Sequence, residues 1–185
     1  MRQIRIDAHQ PGCRLTYVTP HAANQAENKR IIHLTKESAM SMTGLSAFDD
    51  TVHATNTWLH EITARLGWDE RRKGYRLLRT CLHALRDRLS VTEAAQLSAQ
   101  LPMLMRGIFY EGWRPARTPV KTRTIDEFLA PVSEAFSDDP DFDAEAAFRE
   151  FVDVMKMHVT AGEIEDVRRA MPEELKDLFA ENVVT

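Results

Sequence analysis

With 185 residues, 43% of them hydrophobic and 28% charged, and a net charge of −4, the chain has the make-up of an ordinary globular protein of one domain or two closely joined small ones. No apolar run approaches the roughly 20 residues that span a bilayer, and the N-terminus offers nothing longer than Ile31-Ile32 where a secretory signal needs an apolar core. The only cysteines, Cys13 and Cys81, fit neither a metal-ligand spacing nor a disulfide framework, so the composition points to a reducing cytoplasm and calls for no metal or cofactor.

Residues 1–42 lack helical or alternating periodicity and contain Pro11, Gly12 and Pro20 as breakers. They read as an unstructured leader or a stretch upstream of the natural start; a mobile extension with its own role is the less economical reading. Regular patterning begins at residue 43. Phe48, Val52, Thr55, Leu59, Ile62 and Leu66 recur at spacings of three and four, which predicts a first amphipathic helix. Gly67 interrupts it, and Asp69 offers an N-cap for a second helix whose stripe is Tyr75, Leu78, Leu82, Leu85 and Leu89. Ser90-x-x-Glu93 is a capping box that starts a third helix, and Pro102 marks the start of a fourth.

After "GWRPARTPVKTR", punctuated by Gly112, Pro115 and Pro119, the same order returns. Shifting the chain by seventy residues lays Trp58 on Phe128, Leu59 on Leu129, Ile62 on Val132 and Leu66 on Phe136. The same shift lays Leu78 on Phe148, Leu82 on Val152, Leu85 on Met155, Leu89 on Val159, Pro102 on Pro172 and Phe109 on Phe179. Thr124-x-x-Glu127 and Thr160-x-x-Glu163 supply the matching start signals. A period this long describes a duplicated subdomain rather than a solenoid repeat. The expected fold is therefore all-α: two sequence-related units of about four helices each, residues 43–113 and 125–181, joined by a basic linker at 114–124 and packed as a pseudo-symmetric bundle.

Two segments, "LHALRDRLSVTEAAQLSAQLPMLMRGIFYEGW" and "TAGEIEDVRRAMPEELKDLF", resemble the bacterial domain of unknown function 2267 family, and the likeness runs from roughly Thr43 to Phe179. "MTGLSAFDDTVHATNTWLHEI" is similar to family members that begin near this methionine, which agrees with residues 1–42 being a leader. The resemblance implies a compact helical bacterial protein and brings no reaction, cofactor or catalytic residue with it.

The residues themselves specify no reaction. His53 and His60 share a helix face beside Glu61 but lack the second histidine of a zincin motif, so no metal site is assigned. His83, Arg86, Asp87 and Arg88 could hold an ionised carboxylate, but they read more simply as a solvated charged face. Cys81 occupies the place of Phe151 in the repeat and reads as core filler, and no serine lies in a nucleophile-elbow pattern. No catalytic residue is assigned.

Arg106, Tyr110, Trp113, Arg114 and Arg117 are the candidate partner-binding residues, because aromatics among arginines can hold a peptide or stack bases over phosphates. The competing reading makes Trp113 a clasp between the two units. Charge asymmetry adds weight here. Residues 65–123 carry thirteen Lys/Arg against five Asp/Glu (+8), and residues 124–185 carry five against seventeen (−12). Such a chain can attract an anion, its own other half or a second copy. The expected function is a cytoplasmic helical interaction module, with another protein or its own copy as partner. Nucleic-acid or other polyanion binding through 106–123 is the alternative, and a small-ligand or enzymatic site between the units is the third.

Overall fold

The computed structural model describes residues 42–180; the expected leader lies almost wholly outside them. Those residues form eight α-helices and two single 3-10 turns, with no strand among them. Helix α1 is Ser46–Arg65, α2 Arg71–Arg88, α3 Val91–Gln100 and α4 Met103–Tyr110. A 3-10 turn at Pro115–Arg117 interrupts the linker. Then come α5 Ile125–Ala135, α6 Ala144–His158, α7 Ala161–Ala170 and α8 Glu173–Lys176, the last running into a 3-10 turn at Asp177–Phe179. No helix among the described residues is long and apolar enough to cross a membrane.

The chain divides into two units at Asp49/Asp50. The described end of the first unit is held locally: the Thr43 backbone N–H and hydroxyl both donate to Asp49 Oδ1, at 2.9 and 2.8 Å.

In the second unit, local chemistry explains where the helices begin and end. Gly67 closes α1 with φ +64°, and the Trp68 N–H returns to Thr63 O (2.9 Å) while the Gly67 N–H returns to Ala64 O (3.3 Å). This is a Schellman stop, which needs a left-handed residue. The N-cap of α2 is Glu70, without a side-chain bond, and not Asp69 as the sequence suggested. The Ser90 capping box is complete: the Glu93 N–H donates to Ser90 Oγ at 3.3 Å and the Ser90 N–H to Glu93 Oε2 at 2.8 Å. Thr124 caps α5 through the Glu127 N–H (3.2 Å), but the Glu127 carboxylate accepts from the Arg123 N–H instead of closing a box. The box expected at Thr160 does not form. The Gln100 carboxamide takes both groups it would use, accepting from the Thr160 N–H (3.3 Å) and donating to Thr160 Oγ1 (3.2 Å).

The apolar stripes meet in one core. Helix α2 packs on α4, α5 and α6, and α3 packs on α7. Because α2 is surrounded, its buried face includes Leu77, Cys81 and Ala84 beside the expected Leu78, Leu82, Leu85 and Leu89, whereas Tyr75 at the end of the stripe is 41% exposed. Phe48, at the start of the first stripe, is likewise exposed. Residues seventy apart are buried together at Trp58 and Phe128, Cys81 and Phe151, Leu82 and Val152, Leu101 and Met171, and Phe109 and Phe179.

Polar and aromatic contacts join the sequence halves at the rim of this core. Lys73 pairs with Asp139 (2.6 Å), Arg76 with Asp138 (3.0 Å) and Arg65 with Glu150 (3.0 Å). Trp68 packs on Phe136 and Phe142, which stack on each other at 3.9 Å, and Arg76 covers the Phe136 ring.

Helices α1 and α2 approach closely at Gly74. A Cβ there would lie 2.6 Å from Thr63 Cγ2, and the Thr63 side chain is held by its hydroxyl donating to Leu59 O (2.9 Å) and His60 O (3.0 Å). Glycine to alanine inside a helix ordinarily stabilises by about 1 kcal/mol. At this position the sign reverses: Gly74→Ala lowers the thermal midpoint, and Gly74→Ala with Thr63→Ser, which removes the opposing methyl, recovers most of the loss.

Candidate functional site

The segment from α3 to α5 holds every candidate residue, and its geometry follows from the ends of two short helices. The last carbonyls of a helix have no intrahelical donor and must find one elsewhere. For α3 the donor is Arg106, whose guanidinium reaches Ser98 O (2.9 Å), Ala99 O (3.3 Å) and Leu101 O (3.3 Å). For α4 the donors come from α2. Arg86 Nη1 donates to Phe109 O (2.7 Å) and Glu111 O (2.9 Å), and His83 Nε2 lies 2.7 Å from Ile108 O.

Arg86 is therefore no part of a solvated face. It is 4% exposed, with Asp87 Oδ1 2.8 Å from its Nε to balance the charge. The sequence reading failed here because Arg86 meets its partners more than twenty residues away, and only the fold brings them together. Lys156, seventy residues further on and on α6, donates to Ala180 O (3.2 Å).

The aromatic candidates are also engaged. Tyr110 Oη is 2.6 Å from Ser98 Oγ, and its ring packs between Phe109 and Trp113, each at 5.2 Å between centroids. Trp113 is half-buried against the core, and its Nε1 is buried with no hydrogen-bond partner. Arg114 and Arg117 are exposed, and neither guanidinium makes a hydrogen bond or ion pair within the described residues.

This division extends to the other cations. Most described lysines and arginines reach a carboxylate, a backbone carbonyl or, for Arg71, the Asn56 side-chain oxygen; those whose side chains have no such partner are Arg72, Arg88, Arg114, Arg117, Lys121 and Arg123. All but Arg72 belong to the linker or to the end of α2 on which the linker rests. The contact is the Val120 N–H donating to Asp87 O at 2.7 Å. The linker thus gathers unneutralised charge that the sequence had shown only as a general excess.

Burial pushes the Cys81 thiol well above its ordinary range, so it is not a thiolate nucleophile. His53 and His60 are exposed on α1, and no cluster of three metal-ligating side chains occurs among the described residues.

The geometry makes two measurable demands. Arg86→Met leaves Phe109 O and Glu111 O without donors and destabilises the fold by about 2–4 kcal/mol, read by urea denaturation; Arg114→Met changes stability by less than about 0.5 kcal/mol. The second concerns His83. Burial, with Arg86 and Arg79 nearby, lowers its pKa from the ordinary 6.5, against the opposing pull of Ile108 O and Asp87. The neutral ring is the form the fold prefers, so its contribution is complete above pH 6.5 and is lost as pH falls from there through the lowered value. His83→Gln keeps a donor for Ile108 O but cannot titrate, and its thermal midpoint falls less than that of the parent between about pH 7.5 and 5.

Residues 55–178 match the family described as uncharacterized conserved protein (DUF2267), and the chain belongs to that family. No curated protein matches it.

Proposed function

We propose that this family member is a cytoplasmic helical interaction module, a binder rather than a catalyst, which recognises an anionic partner through the basic linker. The observation that carries this reading is the distribution of unpaired cations. Arg88, Arg114, Arg117, Lys121 and Arg123 lie within or against one short segment, while Lys73, Arg76, Arg79 and Arg86 on α2 are all committed to intramolecular partners. Exposed guanidinium groups with no internal carboxylate keep their full field for a partner and give rapid, salt-sensitive association. Of the five candidate residues, Arg114 and Arg117 make the contact on this reading, and Arg106, Tyr110 and Trp113 form the rigid support behind them.

We further infer that the two halves are copies of one helical unit packed with pseudo-twofold symmetry. Helices α3 and α7 begin at residues 91 and 161 and end at 100 and 170, which supports it. So do the mutual packing of α2 with α6 and of α3 with α7, and the matching roles of Arg86 and Lys156.

A double variant tests the function. Arg114→Ala/Arg117→Ala retains the parent's thermal midpoint within about 2 °C and elutes from immobilised heparin at lower salt than the parent. Equal elution, or no retention of the parent, overturns the proposal. Trp113→Ala instead costs about 2–4 kcal/mol of stability in denaturant melts, because its ring is part of the packing.

A further inference from the structure

Beside the linker lies an open cleft of about 550 Å³ whose walls carry three of the unpaired cations, Arg88, Lys121 and Arg123, together with Thr122. Its other side is the corner between α7 and α8, with Met171 and Pro172 as an apolar surface. Two polar atoms of these same lining residues, Arg88 Nε and Thr122 Oγ1, are buried and have no hydrogen-bond partner. A buried polar group without a partner is unfavourable, and two of them on residues that line one cleft call for an explanation.

From this arrangement we propose that the cleft is a seat for a phosphate group. The proposal rests on the anionic-partner reading above and names the chemistry it recognises. A phosphoryl group offers several acceptor oxygens at one point, enough for a guanidinium, an ammonium and a hydroxyl together, which a single carboxylate supplies less well. The backbone around the cations is fixed in advance. The Val120 N–H is bound to Asp87 O, the Thr122 N–H to Val120 O (3.1 Å) and the Arg123 N–H to Glu127 Oε2 (3.0 Å), so little order is lost when a ligand arrives.

The volume falls in the range of small-molecule sites, about 300–1,000 Å³, and leaves room for the group esterified to the phosphate. Met171 and Pro172 supply an apolar surface for that group. Glu173 is already neutralised by Lys176 at 2.7 Å, and Glu174 remains as an acceptor for a hydroxyl or amino group on the ligand. The phosphate can come from a free phosphoester or from the backbone of a nucleic-acid strand that continues along Arg114 and Arg117.

Titration calorimetry on the full chain tests the seat, with inorganic pyrophosphate, glycerol phosphate, a short oligothymidylate and polyglutamate as probes. Pyrophosphate binds the parent, and Thr122→Val and Arg88→Gln each weaken it about tenfold, roughly the loss of one charge-assisted or buried hydrogen bond. Arg114→Ala/Arg117→Ala leaves pyrophosphate affinity within about twofold, since those residues do not line the cleft. Thermal melts of each variant establish that it is folded, and Thr122→Val, which preserves shape, keeps the test decisive if Arg88→Gln does not fold. Oligothymidylate binding more tightly than either small phosphate, and losing that advantage in the Arg114/Arg117 double variant, identifies a strand as the source. Glycerol phosphate binding as tightly as the strand identifies a free ester.

Absence of pyrophosphate binding, or unchanged affinity in Thr122→Val and Arg88→Gln, overturns the seat while heparin retention by the linker leaves the anionic-partner reading standing. Polyglutamate binding as tightly as oligothymidylate overturns the phosphate preference in the same way. Loss of both heparin retention and pyrophosphate binding removes both readings.

Discussion

Short helices have to find donors for their final carbonyls, and this chain meets that demand with long cationic side chains. Helix α3 has ten residues and α4 eight, so each has nearly as many orphan C-terminal carbonyls as internal hydrogen bonds. Arg106 folds back on the end of α3, and Arg86 and His83 reach across from α2 to the end of α4. In the second half Arg149 donates to Asp177 O and Lys156 to Ala180 O, at the last turn of the described chain. Remove these cations and the carbonyls at the Leu101-Pro102 break, at the end of α4 and at the closing turn after α8 would lose their side-chain donors.

That use of positive charge decides what remains for the outside. The +8 and −12 segments of the sequence suggest a strongly dipolar molecule, yet much of the imbalance is consumed internally. Lys73, Arg76 and Arg65 reach carboxylates of the second half, and each such half-exposed pair contributes no more than about 1 kcal/mol. Their larger effect is subtraction. With most of α2 committed to caps and pairs, the unpaired cations among the described residues are confined largely to the linker, which the bond from the Val120 N–H to Asp87 O ties to the end of α2.

Most of what depended on neighbours within a turn or two was legible in the sequence. The Gly67 stop, the Ser90 box, the two proline breaks and the stripes apart from their ends at Phe48 and Tyr75 rest on local steric and hydrogen-bonding rules and appear where the pattern placed them, whereas the α2 cap moved from Asp69 to Glu70. Contacts between distant segments were not legible. Thr160 has the right residue types for a box, but Gln100 sits closer to its polar groups than Glu163 does. Arg86 looks on paper like any arginine beside an aspartate, and only the approach of α4 turns it inward. Arg106 and Tyr110 entered the candidate site by composition, and each is tied instead to the end of α3. Arg88, Lys121, Thr122 and Arg123 lay in or near the basic stretch already singled out, but nothing in their spacing announced that Met171 and Pro172 would close a cleft against them.

The chemistry of the free groups also bears on binding against catalysis. Acid–base work needs a side chain whose proton can leave near neutral pH; among the described residues Cys81 is sealed in the core and His83 is occupied with Ile108 O, while His53 and His60 stand exposed on α1 away from the linker's cations in the sequence. What the linker leaves exposed is mostly guanidinium, which stays protonated throughout the physiological range and cannot serve as a base. Such groups attract, orient and form forked hydrogen bonds to oxyanions. On the proposed reading, the unneutralised strip recognises an anionic partner by charge, and the rigidity of the caps serves to hold that strip in one shape.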